Sequence, residues 1–142
     1  MIEDLGHGWS VRIPATTTAG APVEVERGER DGGRRVHARS ADESEVYVEI
    51  LTYPGLVDHR AAAAGQRTFL EEQSPGGRLS ETAATTFRGR DATAFDFVGI
   101  LGGRRKARRF VFVDSASRTC RVVTDPSSPA NAGILDSLVI GD

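Results

Sequence analysis

Arg104, Arg105, Lys106, Arg108 and Arg109, interrupted only by Ala107, form the densest charge cluster in the chain. Guanidinium groups grip carboxylates and phosphates through paired N–H donors, so the run is a candidate anion or acidic-partner site. A solvated hairpin rich in arginine is the plainer account. Strand alternation cannot place all five cations on one face, and no aromatic residue is interleaved to stack a base. The glycines just before it, at 99–103, invite a phosphate-loop reading. That chemistry needs a helix N-terminus with Lys and Ser/Thr to follow, whereas a strand pattern follows here, so a hairpin connection is expected.

The remaining reactive residue types are scattered. Nucleophilic catalysis needs a Ser or Cys with a base in reach. No Gly-x-Ser-x-Gly elbow occurs. The lone Cys120 lies mid-strand, where a small buried hydrophobe is the expectation. His7, His37 and His59 have no ligand spacing, so a shared metal would need three distant segments to converge. The carboxylates Glu24, Glu26, Glu29, Asp31, Asp42, Glu43, Glu45 and Glu49 read as a solvated face that discourages edge pairing, not as a glycosidase pair. The reading is therefore no enzyme, with no catalytic residue, cofactor or metal. A second candidate is an apolar groove lined by Trp9, Tyr53, Leu56 and Phe69, with Leu70 facing away from the helix's buried stripe. For Trp9 and Phe69 ordinary core is the plainer account.

The elements that must position these residues follow from periodicity. Trp9, Val11 and Ile13 alternate with polar residues and stop at Pro14: a half-buried strand. Val23 and Val25 pair across a glycine-rich turn with Val36 and Ala38. Val46, Val48 and Ile50 mark the next strand, ended by Tyr53, Pro54 and Gly55. A helix is expected from about 57 to 72, burying Val57, Ala61, Ala64 and Thr68, with Phe69 as the larger anchor at its edge. Extended segments follow at 79–87 and 92–98, then a hairpin at 107–113 and 119–124. Ser128 and Pro129 start a terminal helix that buries Ile134, Leu135 and Leu138. Only residues 54–78 are long enough for a helical crossover, so the expectation is α+β: one curved antiparallel sheet flanked by one long and one short C-terminal helix.

At 142 residues with 39% hydrophobic and 27% charged residues, the chain is sized for one domain. Residues 1–8 are expected as a flexible terminus. The net charge of −2 gives no general pull towards nucleic acid or anionic membrane. Lys106 is the one lysine among eighteen basic residues, a usage typical of GC-rich genomes. One cysteine excludes an intramolecular disulfide. No run approaches the length of a transmembrane helix, and the first residues lack the basic and apolar regions of a signal peptide. The reading is cytoplasmic, or exported or membrane-tethered if Met1 follows a removed signal.

TrpSerValArgIlePro (9–14), TyrProGly (53–55), ArgGlyArgAspAlaThrAlaPheAspPhe (88–97), the later hairpin and the closing IleLeuAspSerLeu (134–138), with Ser137 before the last apolar residues, occur in an order that resembles the PsbP-like and DcrB-like group, which includes the Ran-binding Mog proteins. The resemblance spans nearly the whole chain and is one of pattern. The long loop and acidic hairpin at 14–35 depart from it. It implies an α/β/α sandwich and a non-catalytic role as an accessory subunit, partner-binding module or secretion chaperone, and it brings no catalytic residues. The expected function is thus a bacterial module that binds a protein or peptide. The alternatives are a secretion chaperone that shields an apolar client segment as a homodimer, and a small-ligand or anion-binding protein using residues 104–109.

Overall fold

The computed structural model describes residues 1–30 and 32–142; Asp31, together with the side chains of Arg30 and Asp42, lies outside the described residues. The chain runs β1 (Ile2–Gly6), β2 (Trp9–Arg12), β3 (Glu24–Arg30), β4 (Gly33–Arg39), β5 (Tyr47–Thr52), α1 (His59–Gln73), β6 (Arg78–Leu79), β7 (Ala83–Phe87), β8 (Arg90–Leu101), β9 (Arg104–Asp114), β10 (Thr119–Thr124) and α2 (Pro129–Asp136). The fold is α+β. The main sheet has the order β3-β4-β5-β10-β9-β8-β6, with β7 also paired to β8, and β1 and β2 form a separate hairpin. All these pairings are antiparallel. The segment 53–77 carries α1 from β5 across the sheet to the far edge, as its length foretold.

Two apolar layers sandwich the sheet because the strands alternate. One face buries Val36, Ala38, Val48, Ile50, Val111, Val113, Cys120 and Val122 against Leu5, Trp9 and Val11 of the small hairpin and Ile134 and Leu138 of the terminal helix. The other face packs Phe95, Phe97, Phe110, Phe112 and Val123 against Ala62, Ala63 and Leu70 of α1. Alanine at two of those helical positions lets the axis approach the stacked rings; Phe95 and Phe110 stand 4.9 Å apart, 11° from parallel. The β8–β9 connection is a two-residue turn at Gly102 and Gly103, with φ of +60° and +81°. Both angles suit glycine. Gly99 makes room for the Phe97 ring, whose nearest carbon would lie 2.5 Å from an added Cβ. The glycine run thus serves a hairpin, as expected, and cradles no phosphate.

Four expectations need correction. Residues 2–6 form a strand, because Leu5 is buried and Glu3, also buried, pairs with Arg27. Strand β9 begins at Arg104 instead of 107, since arginine stems extend as readily as other side chains once the glycine turn is closed. Along α1 the buried residues are His59, Ala62, Ala63 and Leu70; the helix is rotated from the expected stripe, exposing Val57, Ala61, Ala64 and Thr68. In α2, Ile134 is buried and Leu138 just beyond it, whereas Leu135 is only half-buried. Ser137 has a clear task there. Its hydroxyl accepts from the Arg12 N–H at 2.8 Å, and Val139 bridges to Ser10, stapling the end of the chain to β2.

Candidate functional site

Helix α1 packs chiefly on β8, β9 and β10, away from the outer strands β4 and β5. The residues those two strands turn towards the helix side are Arg35, His37 and Arg39, then Tyr47, Glu49 and Leu51. Register sets His37 opposite Glu49 and Arg35 opposite Leu51, with Arg121 of β10 opposite Leu51 on its other flank. Alternation on three adjacent strands therefore builds one charged lattice. Glu49 accepts from Arg35 at 2.6 Å and from Arg121 at 2.5 Å. Arg121 also donates to Gln66 of α1 at 2.7 Å, tying the helix to the lattice. Burial alone would raise the Glu49 carboxyl, but the two guanidiniums hold it below the usual carboxylate range. Burial likewise pushes His37 down and outweighs the attraction of Glu49. His37 Nδ1 lies 3.1 Å from Arg35, and its buried Nε2 has no hydrogen-bond partner among the described residues.

Where the helix ends its cover, a groove of about 280 Å³ opens. Leu51, Tyr53, Pro54 and Phe69 supply its apolar surface, and Arg35, Gln66 and Arg121 its polar one. Phe69 is 54% exposed. Of the apolar groove residues read from the sequence, Tyr53 and Phe69 meet here. Leu56 is exposed but does not line the groove, and Trp9 belongs elsewhere altogether. Trp9 is fully buried on the opposite face, its indole N–H donating to the Asp142 carbonyl at 3.2 Å. Leu70, expected at the surface, is the buried anchor, and Phe69 the exposed one.

The basic run does not form one surface. Arg108 is 3% exposed, pairs with Glu43 and lies over the Tyr47 ring, its guanidinium carbon 3.6 Å from the centroid. Lys106 pairs with the same Glu43 at 2.6 Å. Burial would raise Glu43, yet these two cations lower it. Arg109 points to the other face and meets Asp96 at 2.9 Å. Arg104 and Arg105 are exposed at the hairpin end. Lys106, Arg108 and Arg109 are thus engaged by acids of this same chain.

The helix start offers the one grouping of metal-ligating types among the described residues: Asp58, His59 and Asp114 each place a ligand atom within 4.8 Å of the others. Their hydrogen bonds give them a different task. Asp58 caps α1 by accepting from the Arg60 N–H, and Asp114 accepts from the His59 N–H and the Thr119 hydroxyl. Both carboxylates thus serve the positive end of a helix, where a cation is disfavoured. His59 Nδ1 contacts the Thr93 hydroxyl at 2.7 Å, both residues buried beneath the helix and neither lining the groove. Cys120 is fully buried on the far face, and burial pushes its thiol up. The acidic set divides as well. Glu24 and Glu26 are solvated partners of Arg39, whereas Glu43 and Glu49 are internal. Asp31 and the Asp42 side chain lie outside the described residues.

The residues missed from the sequence are Arg35, Glu49, Leu51, Gln66 and Arg121. For Arg35 the signal was present in the outward phase of β4, where Arg35, His37 and Arg39 alternate with Val36 and Ala38; the others lie on β5, α1 and β10.

No family model matches the chain, and no curated protein matches it. Among solved structures, the chain is similar to PA94 of Pseudomonas aeruginosa, a protein of unknown function, at 17% identity over 94% of this chain and 85% of that one, with a TM-score of 0.44. That degree of likeness carries no functional argument.

Proposed function

We propose that this chain is a non-catalytic partner-binding module and that the groove between α1 and β5 is its docking surface. The observation that carries this reading is Phe69: a large aromatic ring held out at a groove edge beside Tyr53, Leu51 and Pro54, one residue from the buried Leu70. In the adjoining lattice Arg35 and Arg121 both hold Glu49, and Glu26 also lies 3.9 Å from Arg35, so paired charged groups border the apolar surface. The matching occupant is a protein segment that offers an apolar side chain with a polar group beside it. Such a pairing suits the central anchor and polar rim of known interfaces. The reading also draws on the residue-pattern resemblance to the PsbP-like and DcrB-like group, which implies accessory or chaperone-like roles.

The test is affinity capture from the native host with the intact chain and with Phe69→Glu, at matched melting temperatures. Species retained by the parent and lost by the variant support the reading. Equal capture by both contradicts it.

A further inference from the structure

A second interaction surface lies at the far edge of the sheet. The two edges differ sharply. Strand β3 carries Glu24, Glu26, Arg27 and Glu29, the kind of charge that keeps an open edge from pairing. Strand β7, Ala-Ala-Thr-Thr-Phe, carries no charge, and its first four residues are exposed. It pairs with β8 on one side only.

The hairpin geometry fixes which backbone groups are free. Arg88 and Gly89, with φ of +51° and +79°, make a two-residue turn of the primed kind between Phe87 and Arg90. The pair flanking such a turn is hydrogen-bonded, and bonding alternates from there. Phe87, Thr85 and Ala83 therefore turn their N–H and C=O groups to β8. Ala84 and Thr86 turn theirs away from the sheet.

Beside this edge runs a groove of about 520 Å³ between β7 and α2. Thr85 and Phe87 border it on one side, and Ala132 and Leu135 on the other. The half-buried Leu135, which the sequence placed in the core, is one of its walls. Glu81 and Asp125 also line it, and Glu81 enters no ion pair among the described residues.

We propose that β7 accepts an extended segment of a partner protein as an added strand. Its backbone pairs with Ala84 and Thr86, alternate small apolar side chains enter the groove against Leu135, and a Lys or Arg meets Glu81. This is β-augmentation: the main chain supplies affinity and the groove supplies selection. The proposal is independent of the α1 groove, which lies on the other face of the sheet.

The test uses the intact chain, isotope-labelled, and the peptide acetyl-Lys-Val-Thr-Val-Thr-Val-Lys-amide, together with two forms N-methylated at alternate residues in opposite phase. The expected result is amide shifts confined to residues 82–87 and 132–135, with slowed exchange at Ala84 and Thr86. One N-methylated form should bind at least about tenfold more weakly, and the other should bind as the parent does, because only one phase faces the edge. Thr86→Pro, which removes an outward N–H and spares the ladder to β8, should abolish the shifts. Absence of binding at millimolar peptide overturns the proposal. So does equal binding by both methylated forms, or shifts centred on Phe69 and Tyr53. A dimer of the chain that Thr86→Pro dissolves would assign the edge to a second copy and overturn it too. The methylated peptides decide the matter even if the proline variant fails to fold.

Discussion

Leu70→Ala and Phe69→Ala, neighbours on one helix, should differ severalfold in cost. Leu70 is 4% exposed and sits in the cluster with Phe95, Phe97 and Phe110. Truncation removes three carbons, about 2.4 kcal/mol of transfer free energy at about 0.8 kcal/mol each. The stacked rings beneath cannot swing into the vacancy without losing their own contacts, so a cavity penalty adds to this and the total reaches about 3–4 kcal/mol. Phe69 is 54% exposed, so roughly half of a burial worth at most about 3 kcal/mol is at stake. Alanine's better helix propensity returns about 0.5 kcal/mol, which leaves about 1 kcal/mol. For a chain this size 1 kcal/mol moves Tm by roughly 3–5 °C. Thermal and urea unfolding followed by circular dichroism should therefore separate the variants by roughly 6–15 °C. Equal losses, or a greater loss at Phe69, would mean that α1 is turned by a residue and that the groove is closed.

Other perturbations follow from the charge lattice. Arg108→Ser removes a buried cation from Glu43 and from the Tyr47 ring and should cost about 2–4 kcal/mol, whereas Arg105→Ser should stay within about 0.5 kcal/mol in the same unfolding assay. His37 is lowered in the fold, so between its folded value and about 6.5 the unfolded chain binds the extra proton, and stability falls as pH drops through that window. His37→Phe should flatten that part of the pH profile. The lowered Glu43 and Glu49 contribute stability above the ordinary carboxylate range that is lost only at more acidic pH, as they protonate. Cys120 should resist a thiol reagent in the native state and react at once in denaturant; rapid native labelling would contradict its burial.

Much of the fold was legible because alternation is a local signal. Val36, Ala38, Val48, Ile50 and the 109–113 run each declared a face, and Ser128 with Pro129 declared a helix start. The phase of α1 was not legible. An alanine-rich helix offers several stripes of nearly equal hydrophobicity, and the choice among them is made by the phenylalanines of β8 and β9, far away in sequence. The same holds for β1. Glu3 lies on its buried side, and only Arg27 on another strand makes that acceptable. The candidate site was half legible. Tyr53 and Phe69 stood out as large apolar residues, but the pairing of Arg35, Glu49 and Arg121 depends on strand order, which no local pattern contains. The partners of Lys106, Arg108 and Arg109 were not legible for the same reason: Glu43 and Asp96 come from other elements.

The docking surface itself is tested most directly by site-specific photo-crosslinking in the native host, with the photoreactive group placed at Phe69 in one protein and at the outward-facing Ala64 of the same helix in another. The account predicts a discrete heterologous adduct from position 69 and none from position 64. Adducts of equal yield at both positions, or none at 69, would contradict it.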